Sequence, residues 1–107
     1  MAAQTLAFRM QLKPGNQAEY KRRHDGLWPE LADALRDAGV YDYSIFLDEE
    51  TLSLFAVLKL KPNDTRAALA LKPVMRRWWD YMADLMIVHP DNRPVEWPLL
   101  PVFHFEG

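Results

Sequence analysis

Tyr20 and His24 are the residues whose types and spacing are best suited to chemistry in this sequence. They stand four positions apart, so on a helix their side chains share one face, one turn above the other. Imidazole titrates near neutral pH and can transfer protons, and a phenol beside it can orient a substrate. The alternative is a histidine on a solvated helix face, since charged residues flank it. The Gly-x-Trp-Pro corner at 26–29 favours a functional site, and Gly26 is expected to permit unusual dihedrals there.

Three further aromatic residues could line a ligand pocket. Tyr43 would carry its hydroxyl on a sheet face, although a buried tyrosine commonly finds only a backbone partner. Trp78 and Trp79 are adjacent, and helical geometry sets their side chains about 100° apart, so both cannot face the same core. An indole outside the core typically lines a pocket or an interface, and indoles stack on the C–H faces of sugars. The alternative is core packing by one and a subunit contact by the other.

Composition excludes several classes of function. Thirteen Lys and Arg against fifteen Asp and Glu give a net charge of -2, so no global field favours nucleic acid or an anionic membrane. The chain has no cysteine and its histidines lack metal spacing, so neither thiolate chemistry nor a metal is expected. Arginine pairs at 22–23 and 76–77 could bind an anion but are more often salt-bridged. Without a signal-peptide layout or a membrane-spanning run, a cytoplasmic protein is expected.

Hydrophobic periodicity predicts the elements that must position these residues, in one domain of 107 residues. Alternation predicts strands over 5–12, 40–47, 52–60 and 102–105. The 3.6-residue period and the Pro and Gly positions predict helices over 16–25, 29–38, 65–71 and 74–86. This order predicts an α+β, ferredoxin-like βαββαβ fold, a four-stranded antiparallel sheet with helices on one face.

Details of this arrangement bear on the site and on assembly. Asn16 is expected to cap the first helix through its side chain, and Gly39 to end the second. Alternation in the second strand places Tyr41 on the same face as Tyr43. The third strand is apolar on both faces, and the helices of so short a chain can cover one face only. The other face is therefore expected to meet a second copy, in a homodimer.

Four separated blocks of sequence resemble the L-rhamnose mutarotase family. They are Glu-Tyr-x-Arg-Arg-His-x-x-x-Trp-Pro-Glu-Leu at 19–31, Tyr-Ser-Ile-Phe-Leu-Asp at 43–48, Arg-Trp-Trp-x-Tyr-Met at 77–82 and Pro-Asp-Asn-x-Pro at 90–94. The resemblance implies the dimeric α/β barrel form of the ferredoxin-like fold and the interconversion of the α and β anomers of L-rhamnose. It implies that His24 is the proton-donating residue, and that the sugar is bound by Tyr20, Tyr43, Trp78 and Trp79. The chain departs from the family's pattern at 25–26 and at 95–101.

The mechanistic hypothesis follows from the reaction. Mutarotation needs two proton transfers, one at the anomeric hydroxyl and one at the ring oxygen, so no metal or organic cofactor is required. His24 is expected to protonate the ring oxygen on opening, with Tyr20 or Tyr43 acting at the anomeric hydroxyl. Two alternatives remain open. One is a cofactor-free or haem-dependent monooxygenase of the dimeric α/β barrel superfamily, and the other is a non-catalytic sugar-binding module.

Overall fold

The fold is an antiparallel sheet packed against helices. The computed structural model describes residues 4–107, so the first three residues of the predicted domain lie outside the described range. The sheet order β2-β3-β1-β4, antiparallel throughout, confirms the predicted ferredoxin-like arrangement. Two 3-10 helices span Arg66–Leu71 and Ala83–Leu85. The remaining elements are β1 (Gln4–Gln11), α1 (Gln17–Asp25), α2 (Pro29–Asp37), β2 (Val40–Asp48), β3 (Ser53–Leu60), α3 (Pro73–Met82) and β4 (Trp97–Pro98).

The core lies between the helices and one face of the sheet. Successive side chains of a strand point to opposite faces, so the apolar alternation of β1 and β3 buries one set of residues under the helices. Phe8 pairs with Ala56 and Met10 with Leu54, and all four are buried. Helices α2 and α3 complete this cluster with Leu31, Val74, Met75, Trp78 and Met82.

The corner between α1 and α2 depends on proline rather than glycine. Pro29 begins α2, where a missing backbone N–H does no harm. Gly26 has φ -97°, an ordinary value, so the corner does not use the freedom expected of this glycine. Gly39, just after the end of α2, does adopt a backbone conformation that favours glycine, with φ +87°. Its N–H donates to the Arg36 carbonyl over 3.0 Å. The expected side-chain cap by Asn16 is wrong, since its amide donates to the Leu85 carbonyl instead.

A bulge in β2 separates two tyrosines that alternation places together. Asp42 has φ 49°, and the register with β3 shifts between Tyr41 and Ser44. Tyr41 therefore pairs with Lys59 on the outer face, while Tyr43 lies on the helix face. The prediction that both tyrosines share a face is wrong, because one extra residue in a strand reverses the facing of those beyond it.

The last strand lies earlier than predicted. Residues 102–105 form no strand, and Val102 and Phe103 are 94% and 85% exposed. The strand is β4, in which Trp97 pairs with Arg9 and Pro98 with Phe8. The guanidinium of Arg9 lies 4.1 Å from the centre of the Trp97 ring, which favours this pairing over one further along the tail. Pro98 has no N–H to donate to a further strand, so β4 can only be an edge.

Helix α3 is also shorter than the predicted 74–86, because its last turn tightens into the 3-10 helix at Ala83–Leu85. No helix within residues 4–107 is long and apolar enough to cross a membrane.

The sheet face opposite the helices, here named the outer face, remains accessible and carries large apolar side chains. Those with the greatest exposure on it include Tyr41, Phe46, Val57 and Trp97.

Candidate active site

A cavity of about 780 Å³ lies between the helices and the helix face of the sheet. This volume falls within the range of about 300–1,000 Å³ found for small-molecule sites. Its walls are mainly apolar and come from α1, α2, α3, β2 and the segment before β4. The structure brings all five residues predicted from sequence into this lining, namely Tyr20, His24, Tyr43, Trp78 and Trp79.

His24 lies in the last turn of α1, and its orientation is fixed by the helix itself. Its Nδ1 is 3.1 Å from the Tyr20 carbonyl oxygen. A carbonyl can only accept, so Nδ1 donates and Nε2 is left as the nitrogen that can take up a proton. Burial lowers the pKa of His24, and the Tyr20 carbonyl and the charge of Asp25 oppose this only in part. The imidazole is therefore uncharged at neutral pH.

Aromatic contacts hold the His24 ring in place. The Tyr20 ring centre is 4.4 Å away, and the Trp78 ring is perpendicular to the imidazole, with 5.3 Å between the ring centres. Trp28, at the corner between α1 and α2, packs perpendicular to Trp78 at 5.1 Å and lies 5.4 Å from Tyr81. Such ring pairs favour edge-to-face and tilted geometries. Trp28 therefore supports Trp78, which in turn contacts the imidazole. The sequence predicted only that an indole would lie at this corner.

Tyr20 and Tyr43 present phenols to the same cavity from a helix and a strand. Burial raises the pKa of Tyr20 far above its usual value, and the nearby Tyr43 raises it further. Tyr43 is 39% exposed, and desolvation where its phenol meets the protein raises its pKa to about 12. Both phenols are protonated at neutral pH and can donate hydrogen bonds, but neither can act there as a base.

Trp78 and Trp79 both reach the cavity. Trp78 is buried in the core, with 7% of it exposed, and contributes one side of its indole to the lining. Trp79 is partly buried against the core, and the guanidinium of Arg76 lies 5.6 Å from the centre of its ring. Trp78 thus lies in the core and Trp79 at its margin, as expected from their separation of about 100° around the helix. Both still contact the cavity, which extends along two faces of α3.

The arginine pairs serve structure rather than anion binding. Arg23 donates to Glu19 at 2.7 Å and to the Tyr81 carbonyl at 2.6 Å, which fastens α1 to the end of α3. A third bond, to Asp84, is 2.9 Å long. The other three arginines pair with Glu19, Asp91 and Glu30 respectively. The salt-bridge alternative from the sequence is therefore the one observed.

Sequence reasoning missed Glu96 as a lining residue. It lies in the cavity wall beside Pro94, and Arg66 donates to it over 3.4 Å. The only signal was the departure from the family's pattern at 95–101, which does not say which side chains point inward. Within residues 4–107, no three His, Cys, Asp or Glu side chains group as a metal site.

The fold and the cavity define a class: a ferredoxin-like α+β protein with a cavity of small-molecule size that is lined by an uncharged histidine. The particular family follows from sequence. The chain belongs to the L-rhamnose mutarotase family, whose sequence profile matches residues 5–105.

Individual relatives agree with that membership. The L-rhamnose mutarotase of Burkholderia orbicola is 64% identical over 104 residues, covering 96% of this chain and 99% of its own. That of Brucella anthropi is 57% identical, covering 97% and 98%. The crystal structure of an L-rhamnose mutarotase from Formosa agariphila matches with a TM-score of 0.89 at 50% identity, covering 96% of this chain and 99% of that one.

Proposed function

We propose that this protein is an L-rhamnose mutarotase, an isomerase that interconverts the α and β anomers of the sugar, with His24 as the proton-transfer residue. The observation that supports the proposal most directly is the tautomer and the protonation state of His24. Its Nδ1 is engaged by the Tyr20 carbonyl at 3.1 Å and its pKa is lowered by burial, so an uncharged imidazole meets the cavity through Nε2. Membership of the family supplies the substrate.

The reaction then runs through one imidazole. Nε2 takes the proton of the anomeric hydroxyl as the bond between C1 and the ring oxygen breaks. The imidazolium donates that proton to the ring oxygen, which becomes the C5 hydroxyl of the open aldehyde. Rotation about the C1–C2 bond exposes the other carbonyl face, and closure reverses the two transfers. Both oxygens are bonded to C1 in the closed ring, so a single nitrogen can serve each in turn.

The aromatic residues bind and orient the sugar. Tyr20 and Tyr43 are protonated, so they donate hydrogen bonds to sugar oxygens rather than remove protons. Trp78 and Trp79 offer apolar faces to the C–H groups of the ring and exclude water from it. The site must hold both anomers and the open form, so its affinity for any one of them is modest.

Anomer exchange measured by NMR on L-rhamnose tests this proposal. His24→Ala is expected to lower the protein-dependent exchange rate by about 10²–10⁴-fold, the usual contribution of a positioned acid or base. His89→Ala is the matched control, because His89 does not belong to the cavity lining. L-fucose and glucose serve as control sugars. Near wild-type exchange in His24→Ala would remove the role of His24, while binding without exchange in the wild type would indicate a non-catalytic sugar-binding module.

The same family resemblance and the exposed outer face support a homodimer. Phe46 is 63% exposed on that face and pairs across the strands with Phe55. The tail beyond β4 adds further apolar surface, since Leu100 and Phe105 are 83% and 77% exposed. Apolar patches of this kind on a small domain typically mark contacts with another chain. Packing of two outer faces would complete the dimeric α/β barrel.

A further inference from the structure

The segment just before strand β4 places an acidic side chain in the cavity wall. Trp97 lies on the outer face, beside Arg9, with which it pairs. Pro98 pairs with Phe8 and so faces the helices. Glu96 immediately precedes this strand, and it lines the cavity together with Tyr43.

The Glu96 carboxylate is held from a second element. Arg66, at the start of the first 3-10 helix, donates from Nη2 to Oε2 of Glu96 at 3.4 Å. Two further contacts hold Arg66 in place. Its backbone N–H donates to the Asp64 carboxylate at 3.1 Å, and its guanidinium lies 5.0 Å from the centre of the Phe8 ring. One long hydrogen bond leaves most of the acceptor sites of the carboxylate open to a ligand.

Glu96 and His24 line the cavity from different parts of the chain, His24 from α1 and Glu96 from the segment before β4. The charge of Arg66 lowers the pKa of Tyr43 and the charge of Glu96 raises it, and Tyr43 lines the cavity together with Glu96. The pKa of His24 responds instead to burial, to the Tyr20 carbonyl and to Asp25. Tyr43, His24 and Glu96 all line this one cavity, so a sugar with its C1 at His24 can offer its remaining ring hydroxyls to Glu96.

We infer that Glu96 is a substrate-binding residue that accepts hydrogen bonds from ring hydroxyls remote from C1, with Arg66 as its positioning residue. This inference rests on the proposed function. A carboxylate accepts only, and hydroxyls on neighbouring ring carbons can donate to its two oxygens together. Hydrogen bonds to a charged acceptor are stronger than neutral ones, so Glu96 favours sugars whose hydroxyls have the matching arrangement.

Titration of L-rhamnose against Glu96→Gln, followed by NMR, tests the inference. The expected result is about tenfold weaker binding, the loss typical of a hydrogen bond to a charged group. Glu50→Gln removes the same charge outside the cavity lining and is expected to bind as the wild type does. Equal affinity in all three proteins would overturn the inference.

Analogues of L-rhamnose that lack the hydroxyl at C2, C3 or C4 separate contact from a general effect of charge. At least one analogue is expected to bind the wild type about tenfold more weakly and to show no further loss with Glu96→Gln. The same loss for every analogue would overturn the contact. Wild-type protein without anomer exchange would refute the proposed function instead, so the two failures are distinguishable.

Discussion

His24 owes its chemical form to residues from several elements. Burial between α1 and α3 favours the neutral imidazole, and the Tyr20 carbonyl selects the tautomer with a proton on Nδ1. The opposing charge of Asp25 is the weakest of the three influences. In the proposed mechanism, His24 therefore first takes the proton of the anomeric hydroxyl and then donates it to the ring oxygen, so that one side chain acts as base and then as acid.

The pH dependence of exchange follows from this state. The rate is expected to rise with pH through a midpoint below 6.5 and then stay level to about pH 9, because His24 must be neutral and both tyrosines stay protonated. The measurement is the protein-dependent exchange rate by NMR, corrected for buffer catalysis at each pH. A midpoint above 6.5 would contradict the lowered pKa.

Stability changes with the same group. The folded pKa of His24 lies below the unfolded value of 6.5, so on acidification the unfolded chain takes up a proton first. The contribution of His24 is present above pH 6.5 and is lost as the pH falls through the folded pKa. His24→Gln should reduce the loss of stability in this window, as measured by urea unfolding at pH 7 and pH 5.

At the scale of the elements, the glycines that follow α1 and α2 differ in their backbone conformation and in the space around them. Gly39 is at φ +87°, and a Cβ there would lie 3.2 Å from the Cβ of Asp64 and 3.4 Å from its Cα. Gly26 is at φ -97°, and its nearest neighbours to a Cβ would be carbonyl oxygens at 3.8 and 3.9 Å. The end of α2 therefore requires glycine, whereas the end of α1 tolerates a side chain.

Alanine at each position tests this contrast. Gly39→Ala is expected to lower the free energy of unfolding by about 1–3 kcal/mol, through left-handed strain and crowding. Gly26→Ala is expected to change it by less than about 0.5 kcal/mol. Chemical denaturation with both variants measures the difference. A loss at Gly26 as large as at Gly39 would mean that the corner beside His24 depends on glycine after all.

The sequence predicts the position of a side chain correctly where that position depends only on local spacing. Tyr20 and His24 share a face because of their spacing within one helix, and this needs no knowledge of distant strands. The facing of Tyr41 was not predictable, because the bulge at Asp42 depends on the register with β3. Glu96 was missed for a related reason. The position of β4 depends on pairing with β1, and the more regular alternation at 102–105 has no partner strand among the described residues.

At the scale of the whole molecule, the sheet has two faces with different tasks. The helix face holds the core and the cavity, so changes to it affect folding and substrate binding together. The outer face is accessible in the single chain and carries Phe46, Val57 and Trp97. The proposed dimer would remove this apolar surface from water, and each cavity would keep its own His24, Tyr20 and Tyr43.

Replacing Phe46 tests the use of the outer face. Phe46→Glu is expected to yield monomers in sedimentation velocity, because it places a charge in the apolar interface, with the far-UV circular dichroism unchanged. Leu71→Glu is the matched control, since Leu71 is 83% exposed at the end of a 3-10 helix and off the sheet. A wild-type monomer, or a dimer that survives Phe46→Glu, would exclude this face as the interface.

The perpendicular contact between the Trp78 and His24 rings, 5.3 Å between centres, also has an optical consequence. A protonated imidazole accepts an electron from a photoexcited indole, whereas a neutral one does so poorly. The emission of Trp78 should therefore dim when His24 gains a proton and recover when it is released. Part of the tryptophan emission of this protein is therefore expected to follow the protonation of His24, without a label and without sugar.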